Sequence, residues 1–117
     1  MVSVTADGFD SFEAASASFS KRGLHLLELS VPTVSNDPHW HSFDAEFYIL
    51  DGELELVDVA SGKTLHCAPG SWVKVPARAV HAEQSAGGYR IVLGTSVPAT
   101  EFGEPVDRDP ATLGASI

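Results

Sequence analysis

A chain of 117 residues is long enough for one domain with its own hydrophobic core. Its composition, 44% hydrophobic and 20% charged, indicates a globular protein, and its net charge of -9 argues against nucleic acids and anionic membranes as partners, because both need clustered Lys and Arg. No apolar run reaches the length of a membrane span, and the first residues lack a secretory signal pattern, so we expect a cytoplasmic protein. The single cysteine, Cys67, forms no intrachain disulfide.

The start of the chain, up to Ser20, has mixed signals. Asp7-Gly8 is a turn signal, and residues 12–19 fit either a short helix or an irregular arm, because the alanines favour helix and the serines weaken it.

Short extended segments follow, each rich in β-branched, aromatic or alternating apolar residues and each bounded by Gly, Pro or Asp-Gly turns. The predicted strands cover residues 24–31, 46–50, 53–59, 64–67, 72–75, 79–84 and 89–94. Asp51-Gly52 is predicted to be a hairpin turn between the second and third of them. This pattern is typical of an all-β sandwich or barrel. We divide the single domain into an N-terminal arm (1–20), a barrel (21–97) and a C-terminal tail (98–117) that packs on the barrel.

Two histidines, His39 and His41, stand two residues apart just before the second predicted strand. Residues with this spacing share one face of an extended segment, so both imidazoles can point at one place. Imidazole is the commonest protein ligand for a transition metal, and this pair is therefore a candidate metal site.

Together with a second region, 70–85, these residues resemble the cupin superfamily of jelly-roll barrels, also called double-stranded β-helices. The first cupin motif is His-x-His, three or four residues, Glu, about six residues and Gly. The second is Gly, five residues, Pro-x-Gly, two residues, His, three residues and Asn. The matching residues are His39, His41, Gly52, Gly70, Pro76 and His81. The resemblance implies a cupin barrel with a divalent transition metal, Fe, Mn, Ni or Zn, in a cavity.

The chain departs from the two motifs at three positions. Arg78 replaces the Gly of the second motif, and Ser85 replaces its Asn. Ala45 occupies the place of the first motif's Glu, and Glu46 follows one residue later. On a regular strand that shift turns Glu46 to the opposite face, whereas a β-bulge at Asp44-Ala45 would return it to the interior.

Two ligand sets therefore stay open. In the first, the metal is held by His39, His41, Glu46 and His81, as the resemblance implies. In the second, the three histidines act alone, as in some dioxygenases of the superfamily, and Glu83 is a distal ligand or a general base, because it shares a strand face with His81. Glu46 and Glu83 are thus the candidate catalytic residues.

The resemblance implies a metal-dependent enzyme of the dioxygenase, lyase, isomerase or cyclase type, acting on a small organic molecule inside the barrel. The alternative is a non-catalytic module that binds or senses a small ligand.

We also predict a homodimer, because open sheet edges invite pairing and small cupins commonly dimerise edge to edge. Size-exclusion chromatography checks this, and elution as a monomer at high micromolar concentration would contradict it.

Overall fold

The computed structural model describes residues 2–103 and 106–112, which form nine strands, one α-helix and two short 3-10 helices. The strands are β1 (Ser3–Thr5), β2 (His25–Val31), β3 (Val34–Ser35), β4 (Ala45–Gly52), β5 (Leu54–Asp58), β6 (Lys63–Cys67), β7 (Trp72–Val75), β8 (His81–Ser85) and β9 (Tyr89–Thr95). The helix, α1, spans Phe12–Lys21, and the 3-10 helices span Ala99–Glu101 and Pro110–Thr112.

All strand pairs are antiparallel, and they form two sheets. The larger sheet has the order β1-β7-β4-β9-β2, and the smaller one has the order β3-β8-β5-β6. Each of the seven predicted strands is present within a few residues of its expected bounds, and the all-β prediction is confirmed.

The connection between β4 and β5 differs from the sequence prediction. The sequence predicts a hairpin turn at Asp51-Gly52. This prediction is wrong, because β4 lies in the larger sheet and β5 in the smaller one. Gly52 instead pairs with Tyr89 of β9, at the point where the chain leaves one sheet for the other. The hairpin that does form joins β5 to β6, through the turn around Gly62.

The central strand β4 is covered on both sides. Ala45, Phe47 and Ile49 belong to the main core, which lies between the two sheets. Tyr48, on the opposite face, packs in a second cluster with Phe19 of α1. This alternation follows from the two-residue period of a strand and fixes which side chains can reach the interior.

The N-terminal residues form regular structure. The segment left open as helix or arm is the helix α1, and the side chain of Ser11 caps it by accepting a hydrogen bond from the backbone N–H of Ala14. Before it, β1 pairs with β7 at the edge of the larger sheet. None of the described helices has the length and apolar character that crossing a membrane requires.

The described part of the predicted tail returns to the barrel. Arg108 forms an antiparallel bridge with Trp40, and the ring of Phe102 stacks on Phe43 with 4.1 Å between ring centroids. Residues 104–105 and 113–117 of that tail lie outside the described residues.

Gly52 provides a test of the close approach between the end of β4 and the turn that precedes β9 in the same sheet. It has φ of +81°, and a Cβ atom there would lie 2.2 Å from the carbonyl oxygen of Gly88. We expect Gly52→Ala to cost roughly 3 kcal/mol of unfolding free energy, since a left-handed backbone penalty and a backbone clash add. Gly62→Ala is the matched control, because Gly62 has φ of +72° and no atom within 4 Å of the added Cβ. Urea denaturation should give about 1 kcal/mol for it; equal costs for the two variants would contradict the packing described.

Candidate metal centre

His39 and His81 are brought together by a pair of backbone hydrogen bonds. The N–H of His39 donates to the carbonyl of His81 at 2.8 Å, and the N–H of His81 donates back at 2.9 Å. Residues opposed in this way across an antiparallel bridge point their side chains to the same side. Two histidines about forty positions apart in the sequence thereby become direct neighbours.

His41 completes the group because it lies two residues after His39. Its carbonyl accepts a hydrogen bond at 2.9 Å from the N–H of Arg78, in the turn between β7 and β8. Arg78 has φ of +70°, a conformation that favours glycine, which is the residue of the cupin motif at this position. Arg78 therefore occupies the motif's glycine position in a conformation that glycine adopts more easily.

The three imidazoles face one another. Their ring centroids are 4.5 Å apart for His39 and His81, and 5.0 Å apart for each of the other two pairs. One nitrogen atom from each ring lies within 4.8 Å of the others, an arrangement that can hold a metal ion. His39 and His81 are buried, with 5% and 2% of their surfaces exposed, and His41 is half-buried.

Each ring uses its Nδ1 atom for a hydrogen bond to a backbone carbonyl. The acceptors are the oxygens of Asp37 for His39 at 2.8 Å, Val106 for His41 at 2.9 Å and Ala79 for His81 at 2.9 Å. A carbonyl oxygen only accepts, so Nδ1 must carry the proton in all three rings. In a neutral ring, Nε2 then keeps its lone pair, which is the form that ligates a metal. The donor set fits a divalent transition ion.

Glu83 reaches this group from β8. Its Oε1 lies 3.6 Å from Nε2 of His39 and 3.7 Å from Nε2 of His81. Its Oε2 accepts a hydrogen bond from the hydroxyl of Tyr89 at 2.8 Å, and its backbone N–H donates to the side-chain oxygen of Asn36 at 2.7 Å. The carboxylate is therefore held in one orientation beside the histidines.

The electrostatic environment keeps Glu83 ionised and Tyr89 protonated. Burial raises the pKa of Glu83, but the interactions with His39 and Tyr89 outweigh burial and leave that pKa below its usual value. Burial, reinforced by Glu83, raises the pKa of the Tyr89 hydroxyl, which stays a donor. Burial lowers the pKa of His81. Burial also lowers the pKa of His39, but Glu83, the Asp37 carbonyl and Asp107 together outweigh burial and leave that pKa above its usual value.

Glu46 lies elsewhere, and its predicted place in the ligand set and in catalysis is corrected. Its carboxylate accepts hydrogen bonds from the Arg22 guanidinium at 2.6 and 2.9 Å and from the Trp72 indole at 2.8 Å. No bulge precedes it: β4 runs in regular register from Ala45, and the irregularity falls between Ile49 and Asp51. Strand alternation therefore turns Glu46 to the face that carries α1, away from the histidines.

Residues of the C-terminal tail also reach the centre, and sequence reasoning missed them. The Val106 carbonyl holds His41, and Oδ1 of Asp107 lies 3.8 Å from Nε2 of His39 and 3.7 Å from Nδ1 of His41. Nothing in the local pattern of the tail signals these contacts. Tyr89 was also missed, although its alternation with Ile91, a core residue, placed both on the inner face of β9.

A cavity of about 300 Å³ opens between the two sheets beside the histidines. Its wall is mostly apolar, and its polar side chains are those of the centre and its neighbours. Among the described residues that line it, none is Lys or Arg. The lining includes Leu29, Phe43, Phe47, Val75, Ile91 and Phe102, with His41, His81, Glu83, Tyr89, Asn36 and Asp107.

Comparison with known proteins finds no matching family model and no matching curated protein. Solved structures do match. A DUF861 family protein from Thermotoga maritima has a TM-score of 0.56 at 15% identity, covering 80% of this chain and 97% of the other. The polyketide cyclase RemF from Streptomyces resistomycificus has a TM-score of 0.54 at 24% identity, covering 80% and 70%. A cupin superfamily protein from Desulfitobacterium hafniense has a TM-score of 0.53 at 18% identity, covering 84% and 79%.

These likenesses establish the fold. The chain is a small cupin-fold protein, and both the resemblance and the jelly-roll fold class predicted from the sequence are confirmed. Enzymes are found among the neighbours of this fold.

Glu46→Gln tests the separation of this carboxylate from the centre. Burial raises the pKa of Glu46, but Arg22 and Trp72 outweigh it, and the net pKa lies below the ordinary 4.5. A carboxyl with a lowered folded-state pKa stabilises the fold above its unfolded pKa, and that contribution disappears as the pH falls through the folded value. Urea denaturation should therefore show the variant about 1 kcal/mol less stable than wild type at pH 7, and this difference should shrink as the pH falls below the ordinary pKa of 4.5. The affinity for zinc should not change. A tenfold loss of affinity would show that Glu46 contributes to the metal site.

Proposed function

We propose that this protein is a metal-dependent enzyme that holds a divalent transition metal through His39, His41 and His81 and acts on a small, largely apolar organic molecule in the adjacent cavity. The observation that carries the proposal is the shared orientation of the three rings. Each Nδ1 is engaged by a backbone carbonyl, and each Nε2 is left free as a ligand. When bound, the ion supplies Lewis-acid polarisation of a substrate oxygen, and a redox-active ion also supplies one-electron chemistry.

Glu83 is the residue that we assign to proton transfer. Its carboxylate is ionised, borders the cavity and lies within 4 Å of two ligand rings. Tyr89 occupies Oε2 and leaves Oε1 directed towards the centre. A carboxylate held in this way accepts a proton from a substrate C–H or O–H group and returns it later, as a general base and then a general acid.

The charges around the centre favour a neutral substrate. Three neutral imidazoles leave both charges of a divalent ion unbalanced, and the carboxylates of Glu83 and Asp107 lie close enough to offset them. The described lining offers no cationic side chain to a substrate carboxylate or phosphate. An uncharged molecule with an oxygen at one end and an apolar body matches these features.

The fold supports the proposal without choosing a reaction. RemF, a neighbour in structure, is a polyketide cyclase. Dioxygenase, lyase, isomerase and cyclase chemistry all remain in the range of the proposal, because fold alone does not decide function.

Metal analysis of the purified protein tests the ligand set. We expect about one divalent ion per chain in the wild type, and less than a tenth of that in His81→Ala, because two remaining rings bind weakly. His41→Ala, at a less buried position, should lose metal equally, and this guards against loss of folding at His81. His66→Ala is the control, since His66 is exposed on β6 and should leave the metal content unchanged. A metal-free wild type, or full loading of both site variants, would contradict the proposal.

A neutral aromatic alcohol, 1-naphthol, tests whether the metal takes part in ligand binding. The metal-loaded wild type should bind it at least tenfold more tightly than His81→Ala, because the metal holds the oxygen of the probe. Equal affinities in the two proteins, measured by fluorescence titration, would favour a non-catalytic module that binds ligands by shape alone.

A further inference from the structure

The C-terminal segment, residues 106–112, is fastened to the chain at the residue between the two histidines of the first motif. Trp40 and Arg108 exchange backbone hydrogen bonds of 3.1 and 2.9 Å. The Trp40 indole N–H donates to the carbonyl of Asp109 at 2.9 Å, and the Arg108 guanidinium lies 5.3 Å from the centroid of an indole ring. Trp40 is buried, with 6% of its surface exposed.

This attachment determines what the segment brings to the metal centre. Two residues before Arg108, the Val106 carbonyl accepts the Nδ1 proton of His41. Asp107, between them, places its carboxylate 3.8 Å from Nε2 of His39. His41 therefore depends on the segment for the hydrogen bond that fixes its orientation, whereas His39 and His81 use carbonyls only two residues before themselves.

The faces of the residues explain why Trp40 serves this purpose. His39 and His41 point into the site, so the residue between them points the opposite way. Its side chain is thus free to contact the segment from behind the site, while its backbone pairs with Arg108 in the register that brings the Val106 carbonyl within hydrogen-bond distance of the His41 ring.

We propose that Trp40 is a positioning residue for the metal centre: it docks the C-terminal segment, the docked segment orients His41 and adds the Asp107 charge, and metal affinity is therefore coupled to docking. The inference rests on the proposed metal function and extends it to residues that ligate nothing.

The coupling has a defined size. Loss of a hydrogen-bond partner of a ligating histidine typically weakens metal binding 10–100-fold. Linkage is reciprocal, so the metal must strengthen docking of the segment by the same factor by which loss of docking weakens the metal. These two factors come from independent measurements on the full-length chain.

The experiment compares three full-length variants with wild type. Trp40→Leu removes the indole donor and the ring beneath Arg108, and Trp40→Phe removes the donor alone. Trp72→Phe is the matched control, because it also loses an indole hydrogen bond, to Glu46, on the face of β4 away from the site. Zinc affinity is measured by competition with a chelating indicator, and docking by hydrogen exchange at the Arg108 amide with and without zinc.

We expect Trp40→Leu to weaken zinc binding at least tenfold, Trp40→Phe to weaken it less, and Trp72→Phe to leave it unchanged even where its unfolding free energy falls. In wild type, zinc should slow exchange of the Arg108 amide by a factor that agrees with the Trp40→Leu loss within about threefold.

The outcomes separate the two proposals. A wild type that binds zinc, with Trp40→Leu equally tight or with Arg108 exchange insensitive to zinc, overturns the coupling and leaves the metal centre standing. Equal losses in Trp40→Leu and Trp72→Phe also overturn it, since they would report general destabilisation. A wild type without zinc binding overturns both.

Discussion

The site depends on three hydrogen bonds from imidazole Nδ1 atoms to backbone carbonyls. Each bond fixes a ring orientation and, in a neutral ring, a tautomer, and together they direct three Nε2 atoms towards one space. Without them, the histidines would be adjacent rings with free choice of tautomer. With them, the chain has arranged its donors before any ion arrives, which reduces the cost of ordering ligands on binding.

The three carbonyl groups come from different parts of the chain, so the site depends on a segment that is distant in the sequence. Two lie two residues before the histidine that they hold, in the segments leading to the His39–His81 bridge. The third belongs to Val106, far along the chain, and it reaches His41 because Trp40 fastens the segment behind it. The C-terminal segment consequently contributes to the structure of the site.

Much of the architecture could be predicted from the sequence, because its signals are local. Alternating apolar patterns with Gly and Pro turns predicted the longer strands, and two separated motifs predicted that His81 lies close to His39. The shortest strands, β1 with three residues and β3 with two, carry no such period and were not predicted. The order of strands between the sheets was also beyond a local pattern: Asp51-Gly52 has hairpin chemistry, yet the chain crosses there to the other sheet.

The site was harder to predict because its details depend on which face of a strand each residue occupies and on contacts between residues that are far apart in the sequence. Whether Glu46 faces inward depends on whether a β-bulge precedes it, and no residue pattern identifies a bulge with certainty. The register between β4 and β9 shifts only between Ile49 and Asp51. This shift follows Glu46 in the strand and therefore does not turn Glu46 inward. Asp107 and Val106 lie at the site because their segment is held by Trp40, more than sixty positions earlier in the chain. The orientation of the Glu83 carboxylate depends on Tyr89, a residue on another strand.

The central claim is that His39, His41 and His81 present Nε2 to one metal ion while Nδ1 holds the proton. Long-range ¹H–¹⁵N correlation spectra of the histidine rings, recorded on ¹⁵N-labelled protein before and after addition of ¹¹³Cd²⁺, test it directly. Three rings should show the Nδ1–H tautomer without metal, and the same three should show scalar coupling between ¹¹³Cd and Nε2 with metal. Nε2–H tautomers in these rings, or coupling to fewer than three of them, would contradict the claim.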